Sequence, residues 1–268
     1  MSEPRIPADY EAWRRRRWEE IAGTNGKGTV IARATIHGRE PHTLPGLPGQ
    51  WTTTGSGALT VTAPARDGVR VNGETVEGTT EVPSGSALEF PGDLTGVAGG
   101  ADGHYGVVVM DPSRVASSGL SGIDRFPYDP DWVFQGRYRA APHGRRIEVE
   151  RLTAPRSTEA VPAPVDLVVT VRGTEYVLAV LEDMPGQRLV VFTDDTNGDS
   201  TPMIGRWLVL PLLEPGRAVD VDFNQATLSH HHLNPDVFVC PLSPPGNHLP
   251  LRVEAGERAL IHTAPARD

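Results

Sequence analysis

The sequence predicts a mainly β protein: one N-terminal helix, then a β-sandwich, then a second β-sheet or barrel-like domain. Three observations carry this reading. The 29 glycines and 25 prolines are spread along 268 residues, which implies many turns between short segments. Beyond residue 29, apolar residues recur in short alternating runs, the period of half-buried strands. Only the stretch near the start carries apolar residues at helical spacing. A chain of this length can bury a core in one large domain or in two modest ones.

The elements follow in order. Pro7 to Ala22 reads as a helix, with proline in its first turn, Asp9 as a cap, and Gly23 with Asn25-Gly26 to stop it. Tyr10, Trp13, Arg17 and Ile21 fall on one side of it. The basic run Arg14 to Arg17 has Glu19 and Glu20 four residues beyond Arg15 and Arg16, so it reads as a solvated, self-paired face. Strands are expected at Val30 to Ile36, Ala58 to Thr62, Val69 to Asn72, Ala87 to Phe90 and Tyr105 to Met110. Asn72-Gly73 marks a tight hairpin, because both residues tolerate positive φ. Asp111 to Trp132 is a turn-rich bridge in which Pro127 and Pro130 preclude a helix. Ala154 to Pro164 reads as a proline-punctuated surface loop. Longer strands then span Val165 to Arg172 and Glu175 to Glu182, flanking Gly173-Thr174. Others are expected at Leu189 to Thr193, Gly205 to Leu210, Ala218 to Phe223 and Leu249 to Glu254. The expected domains are therefore 1–28, 29–122 and 123–268.

Two resemblances bear on these segments. Gly68-Val-Arg-Val-Asn-Gly-Glu-Thr-Val76 looks like the strand-turn-strand of forkhead-associated domains, which implies a forkhead-associated-like sandwich for 29–122. The arginine and Ser-x-x-His elements that read phosphothreonine in those domains have no counterpart here. Beyond residue 122 the chain resembles the bacterial domain of unknown function 1684 family. The matching residues are Gly122-Ile-Asp-Arg-Phe-Pro-Tyr-Asp-Pro-Asp-Trp132; Phe192, Asp194, Thr196, Gly198 and Thr201; Gly205-Arg-Trp-Leu208; Asp222-Phe-Asn224; Cys240-Pro-Leu242; and Asn247. The Trp13-Arg14 helix fits its opening. Pro202, Gly246 and Arg258 depart from the family pattern, and so does the loop carrying His230-His231-His232. The resemblance implies no particular activity.

The closing tract from Asp222 to Glu257 concentrates the reactive side chains. Arg206, Asp222, Asn224 and Asn247 are the candidate ligand-binding residues, expected to converge at one end of the sheet as a small-molecule pocket. Their alternative role is to bond loop backbone. His230 and His232, if on a strand, project from one face and can chelate a divalent transition metal. Asp236 and a distant histidine, His248 or His104, would complete such a site. Solvated or backbone-bonded histidines are the competing reading. Cys240 is expected as a small buried residue, since no basic neighbour lowers its pKa. Asn25-Gly-Lys-Gly-Thr29 lacks the spacing of a phosphate loop. Asp195 to Arg206 lacks the closing glutamate of a calcium loop, and no Gly-x-Ser-x-Gly elbow is present.

Bulk properties exclude other classes. A net charge of -9 disfavours broad nucleic-acid binding, which needs clustered cations facing phosphates. One cysteine precludes an internal disulfide. There is no apolar signal core and no run of ~20 apolar residues, so a cytoplasmic protein is expected, without membrane partners. Two functional classes stand at this point. One is a small-molecule site in the C-terminal domain, catalytic or not and with or without a metal. The other is a binding or scaffold module using the sandwich for a protein partner.

Overall fold

The computed structural model describes residues 6–153 and 155–263. The chain separates into two compact units. One is Arg16–Gly119, and the other is Leu120–Thr263 with the N-terminal residues through Arg15. Helix α1 (Ala8–Ala22) buries Tyr10, Arg17 and Ile21 and half-buries Trp13, the stripe its spacing predicts. It carries Glu11–Arg14 and Arg17–Glu20 ion pairs at three-residue spacing. No helix among the described residues is long and apolar enough to cross a membrane.

The first unit is a two-sheet sandwich. Its strands are β1 (Val30–His37), β2 (His42–Thr43), β3 (Gln50–Thr53), β4 (Leu59–Ala63) and β5 (Arg70–Val71). They continue with β6 (Glu74–Thr75), β7 (Gly78–Glu81), β8 (Ser86–Phe90), β9 (Leu94–Ala101) and β10 (His104–Met110). One sheet has the order β1-β10-β9-β8-β5-β6 and the other β2-β3-β4-β7. Ile36, Val107, Leu88 and Phe90 from the first meet Trp51, Leu59 and Val61 from the second in one core. Each such side chain contributes ~1.5–3 kcal/mol on burial. The Asn72-Gly73 hairpin forms as predicted: both residues have positive φ (51° and 84°) and Val71 pairs with Glu74.

The second unit contains β11 (Leu120–Arg125), β12 (Val133–Ala140), β13 (Arg146–Arg151), β14 (Ser157–Pro162), β15 (Val165–Val171) and β16 (Thr174–Val180). After these come β17 (Gln187–Asp194), β18 (Arg206–Pro211), β19 (Ala218–Asp222), β20 (His248–Leu249) and β21 (Glu257–His262). A sheet ordered β16-β15-β12-β19 and a sheet ordered β18-β17-β20 share one core, with two-stranded ribbons β11-β21 and β13-β14 beside them. Trp132, Phe134, Phe192 and Phe223 meet edge to face in that core, with centroids 5.6–6.3 Å apart, the arrangement that ring quadrupoles favour.

The sheets are open, and none closes into a barrel among the described residues, in keeping with the mainly β architecture that the sequence predicts. Three local expectations are corrected. Most of the segment read as a loop from Ala154 to Pro164 is strand β14, in register with β13; Ala154 lies outside the described residues. The β15–β16 turn is Arg172-Gly173, both at positive φ (49° and 83°), so Thr174 already belongs to the strand. The segment Leu249 to Glu254 is laddered only at its first residue. Leu249 and Val253 are buried as its apolar alternation predicts, but the chain bends at Pro250 and Leu251, and the Leu251 and Val253 carbonyls accept from the Asp195 amide and from Arg206. The closing strand is β21 instead.

Candidate functional site

The family-like residues of the second unit form a buried polar framework, and it is built outward from Arg206. Gly205 sets the entry to β18: its φ is +81°, and a Cβ there would stand 2.3 Å from the Phe192 carbonyl oxygen. Arg206 is fully buried. Its Nη2 donates to Asp194 Oδ2 at 2.7 Å and to the Val253 carbonyl at 2.8 Å, and its Nη1 donates to the Ala255 carbonyl. The guanidinium lies 5.4 Å from the Phe192 ring centre and 5.9 Å from that of Phe126. Burial pulls the Arg206 pKa down, and the Asp194 carboxylate opposes the shift. Asp194 is itself saturated, because its Oδ1 accepts from the Thr196 and Val253 amides at 2.8 and 3.2 Å.

The two asparagines act as backbone clamps. Asn224 accepts from the Asp129 amide at 3.0 Å and donates to the Asp129 carbonyl at 2.9 Å, so it pairs both backbone groups of one residue. Asp222 supports it, accepting from the Asn224 backbone and side-chain nitrogens at 2.9 and 2.8 Å. Asn247 accepts from the Ala179 amide at 2.7 Å. It donates to the Ala179 and Val191 carbonyls, both at 2.9 Å. β16 and β17 lie in different sheets, and the Asn247 amide bonds the backbone of both. Glu257, a 0% exposed carboxylate, accepts from Arg125 at 3.2 Å and from the Leu228 amide at 2.8 Å. Arg151 forks onto Asp183 at 2.6 and 2.9 Å.

Of the candidate ligand-binding residues, Arg206, Asn224 and Asn247 are thus buried and bonded within the fold, and Asp222 is half-buried in the same network. The sequence expectation placed Glu257 among the convergent polar groups of the pocket, whereas its carboxylate pairs inside the fold; the roles of Arg125, Arg151 and Asp183 were not read from the sequence. Their partners lie 32 residues away for Arg151 and Asp183 and 132 for Arg125 and Glu257, and their own neighbourhoods mix charged and apolar residues.

The histidine loop is a 3-10 turn over His230–His232. With about three residues per turn, successive side chains diverge by about 120°, so His230 and His232 do not share a face as they would on a strand. The His230 ring packs 5.4 Å from Trp207 and 5.4 Å from Phe238. His232 Nδ1 lies 3.1 Å from the Ser229 carbonyl and 3.2 Å from its hydroxyl. Burial pulls the His232 pKa down, with the Ser229 carbonyl opposing, so the ring stays neutral near pH 7. Asp236 is exposed. His248 sits instead beside Thr193 (3.1 Å) and Asp195 (3.7 Å), and His104 belongs to the other unit, next to His37. Among the described residues no group of three or more His, Cys, Asp or Glu side chains is placed to hold a metal ion. Cys240 is buried, and its thiol is pushed up to about 11, mainly by that burial.

Open concavities lie elsewhere. A cavity of about 350 Å³ in the second unit is formed by Glu182 to Gln187 and Leu212. A larger one, about 630 Å³, lies on the sandwich, where Leu47, Gly49, Gln50, Thr62, Asp67 and Glu77 are among its walls. Beside its Gly49 wall the buried Trp51 indole nitrogen has no hydrogen-bond partner among the described residues; it stands 3.4 Å from where a Cβ at residue 49 would be.

A mainly β protein whose C-terminal half is knit by a buried Arg–Asp–Asn framework is the class that fold and site define. The chain belongs to the family of proteins of unknown function DUF1684, whose profile matches residues 118–258. It is also similar to the solution NMR structure of an uncharacterised protein of Haloarcula marismortui, with 25% identity over 55% of this chain and 80% of that one and a TM-score of 0.43. No curated protein matches the chain.

Proposed function

We propose that the protein is a non-catalytic binding module. A forkhead-associated-like sandwich (29–122) carries the partner surface, and the C-terminal domain (123–268) is a structural unit held by its own buried polar framework. The observation that supports this most is the commitment of Arg206, Asn224 and Asn247 to the fold itself. A small-molecule or metal site in that tract needs those groups, or His230 and His232, turned toward a ligand. The wider cavity is on the sandwich. A single buried thiol also fits a reducing, cytoplasmic setting.

A thermal-shift screen of central metabolites and of zinc, iron, manganese and copper ions separates the two classes. A ligand at 100 times its Kd adds about 2.7 kcal/mol, which for a domain of this size raises Tm by roughly 5 °C or more. The expected result is no saturable rise. A saturable rise with any of them, lost in the His230→Ala/His232→Ala variant or in Asp222→Asn, would restore the C-terminal site and overturn the binding-module reading.

A further inference from the structure

The sandwich cavity carries information about what it would accept. Its eleven wall residues include two carboxylates, Asp67 and Glu77, and no lysine, arginine or histidine. Arg66 approaches Asp67 only at 4.0 Å and is itself largely in solvent, so the cavity favours a cation. The remaining walls are neutral: Thr43, Gln50 and Thr62 occupy one row across β2, β3 and β4, continued by Thr79 on β7.

The cavity also meets a sheet edge. Gly78, the first residue of β7, is one of its walls, and β7 is the last strand of its sheet. The Val82 amide donates to the Leu59 carbonyl on the β4 side. Peptide directions alternate along a strand, so the amides of Glu81 and Thr79 point the opposite way, toward the open edge. The 2.8 Å contact between the Thr62 and Thr79 hydroxyls agrees, because side chains come closest at positions that do not exchange backbone hydrogen bonds. Thr79 and Glu81 are both exposed. An edge strand beside a pocket for one side chain is how an extended peptide is read: backbone bonds give affinity, and the pocket selects the residue.

Resting on the binding-module reading above, we propose that β7 is a docking edge for an extended peptide segment of a partner protein, with a lysine or arginine of that segment held in the cavity between Asp67 and Glu77. The backbone contact lies along Thr79 to Glu81. The cationic side chain enters past Gly78, where no Cβ narrows the opening.

The test uses the full chain and fluorescein-labelled hexapeptides of alternating threonine and valine with one central lysine, arginine, glutamine or glutamate, read by anisotropy. The lysine and arginine peptides are expected to saturate, to weaken with added salt, and to bind at least about tenfold more tightly than the glutamate peptide. Glu77→Lys should reverse that preference. Thr79→Pro should weaken binding at least about tenfold with an unchanged Tm, since it removes an outward amide and leaves the pairing with β4 intact. Equal binding of the lysine and glutamate peptides, or indifference to both substitutions, overturns the proposal. So does binding of none of the peptides, equal binding by free spermidine, or sedimentation as a dimer dissociated by Thr79→Pro, which would make a second copy the occupant. If these fail while the metabolite and metal screen stays flat, only the docking edge falls; a saturable metabolite or metal shift removes the binding-module reading itself.

Discussion

At the scale of single residues, environment decides chemistry more than residue type does. His232 looks reactive in sequence, yet burial keeps its ring neutral against the opposing pull of the Ser229 carbonyl that it bonds. Its folded pKa lies below its unfolded value, so the unfolded chain takes up the proton first as pH falls. The stability it contributes is therefore fully present above the ordinary histidine pKa near 6.5 and is lost progressively below it. Urea midpoints measured at pH 7.5 and pH 5.5 should fall with acidification, and by less in His232→Gln. An equal fall in both proteins would remove His232 as a source of the pH dependence. Cys240 follows the same rule: its thiol is held protonated by burial, and its sequence neighbours already pointed to a packed, unreactive residue.

At the scale of elements, turns and clamps fix the second unit. Gly205 and Gly216 both have positive φ (81° and 85°), but only Gly205 has backbone where a side chain would stand; at Gly216 nothing lies within 4 Å. Gly216→Ala should therefore cost about 1–2 kcal/mol for the left-handed conformation alone. Gly205→Ala should cost clearly more, because β18 must move off Phe192. Equal losses in urea denaturation would contradict the close approach. Strand positions with strong local signals were legible in the sequence, as with the Asn72-Gly73 hairpin and the apolar runs of β15 and β17. β12, β13, β14 and β21 were not, because few of their residues are apolar: in β13 only Ile147 and Val149 alternate with Arg146, Glu148 and Glu150, and Arg137 and Arg139 flank Tyr138 in β12. Leu249 to Glu254 misled in the other direction. Its apolar residues are buried, but the chain bends past Leu249 and bonds the Asp195 amide and Arg206.

At the scale of the whole molecule, the sequence separated a β-sandwich from a signature-bearing C-terminal half, and the fold has two compact units. The signature itself was legible as a set of residues but not as a role. Arg206, Asp194, Asn224 and Asn247 are the residue types of an active site, and only their partners reveal a framework: the carbonyls of Val253, Ala255 and Asp129, and the backbone of Ala179 and Val191. Those partners lie between 47 and 95 residues away along the chain, beyond what periodicity or spacing can reach. The central claim, that the signature holds the fold together, is tested most directly by urea denaturation of Asn224→Ala and Asn247→Ala. Each substitution strips partners from buried backbone groups, so each is predicted to lower stability by about 1–3 kcal/mol. Stability unchanged in both variants would contradict the account and return these asparagines to a ligand.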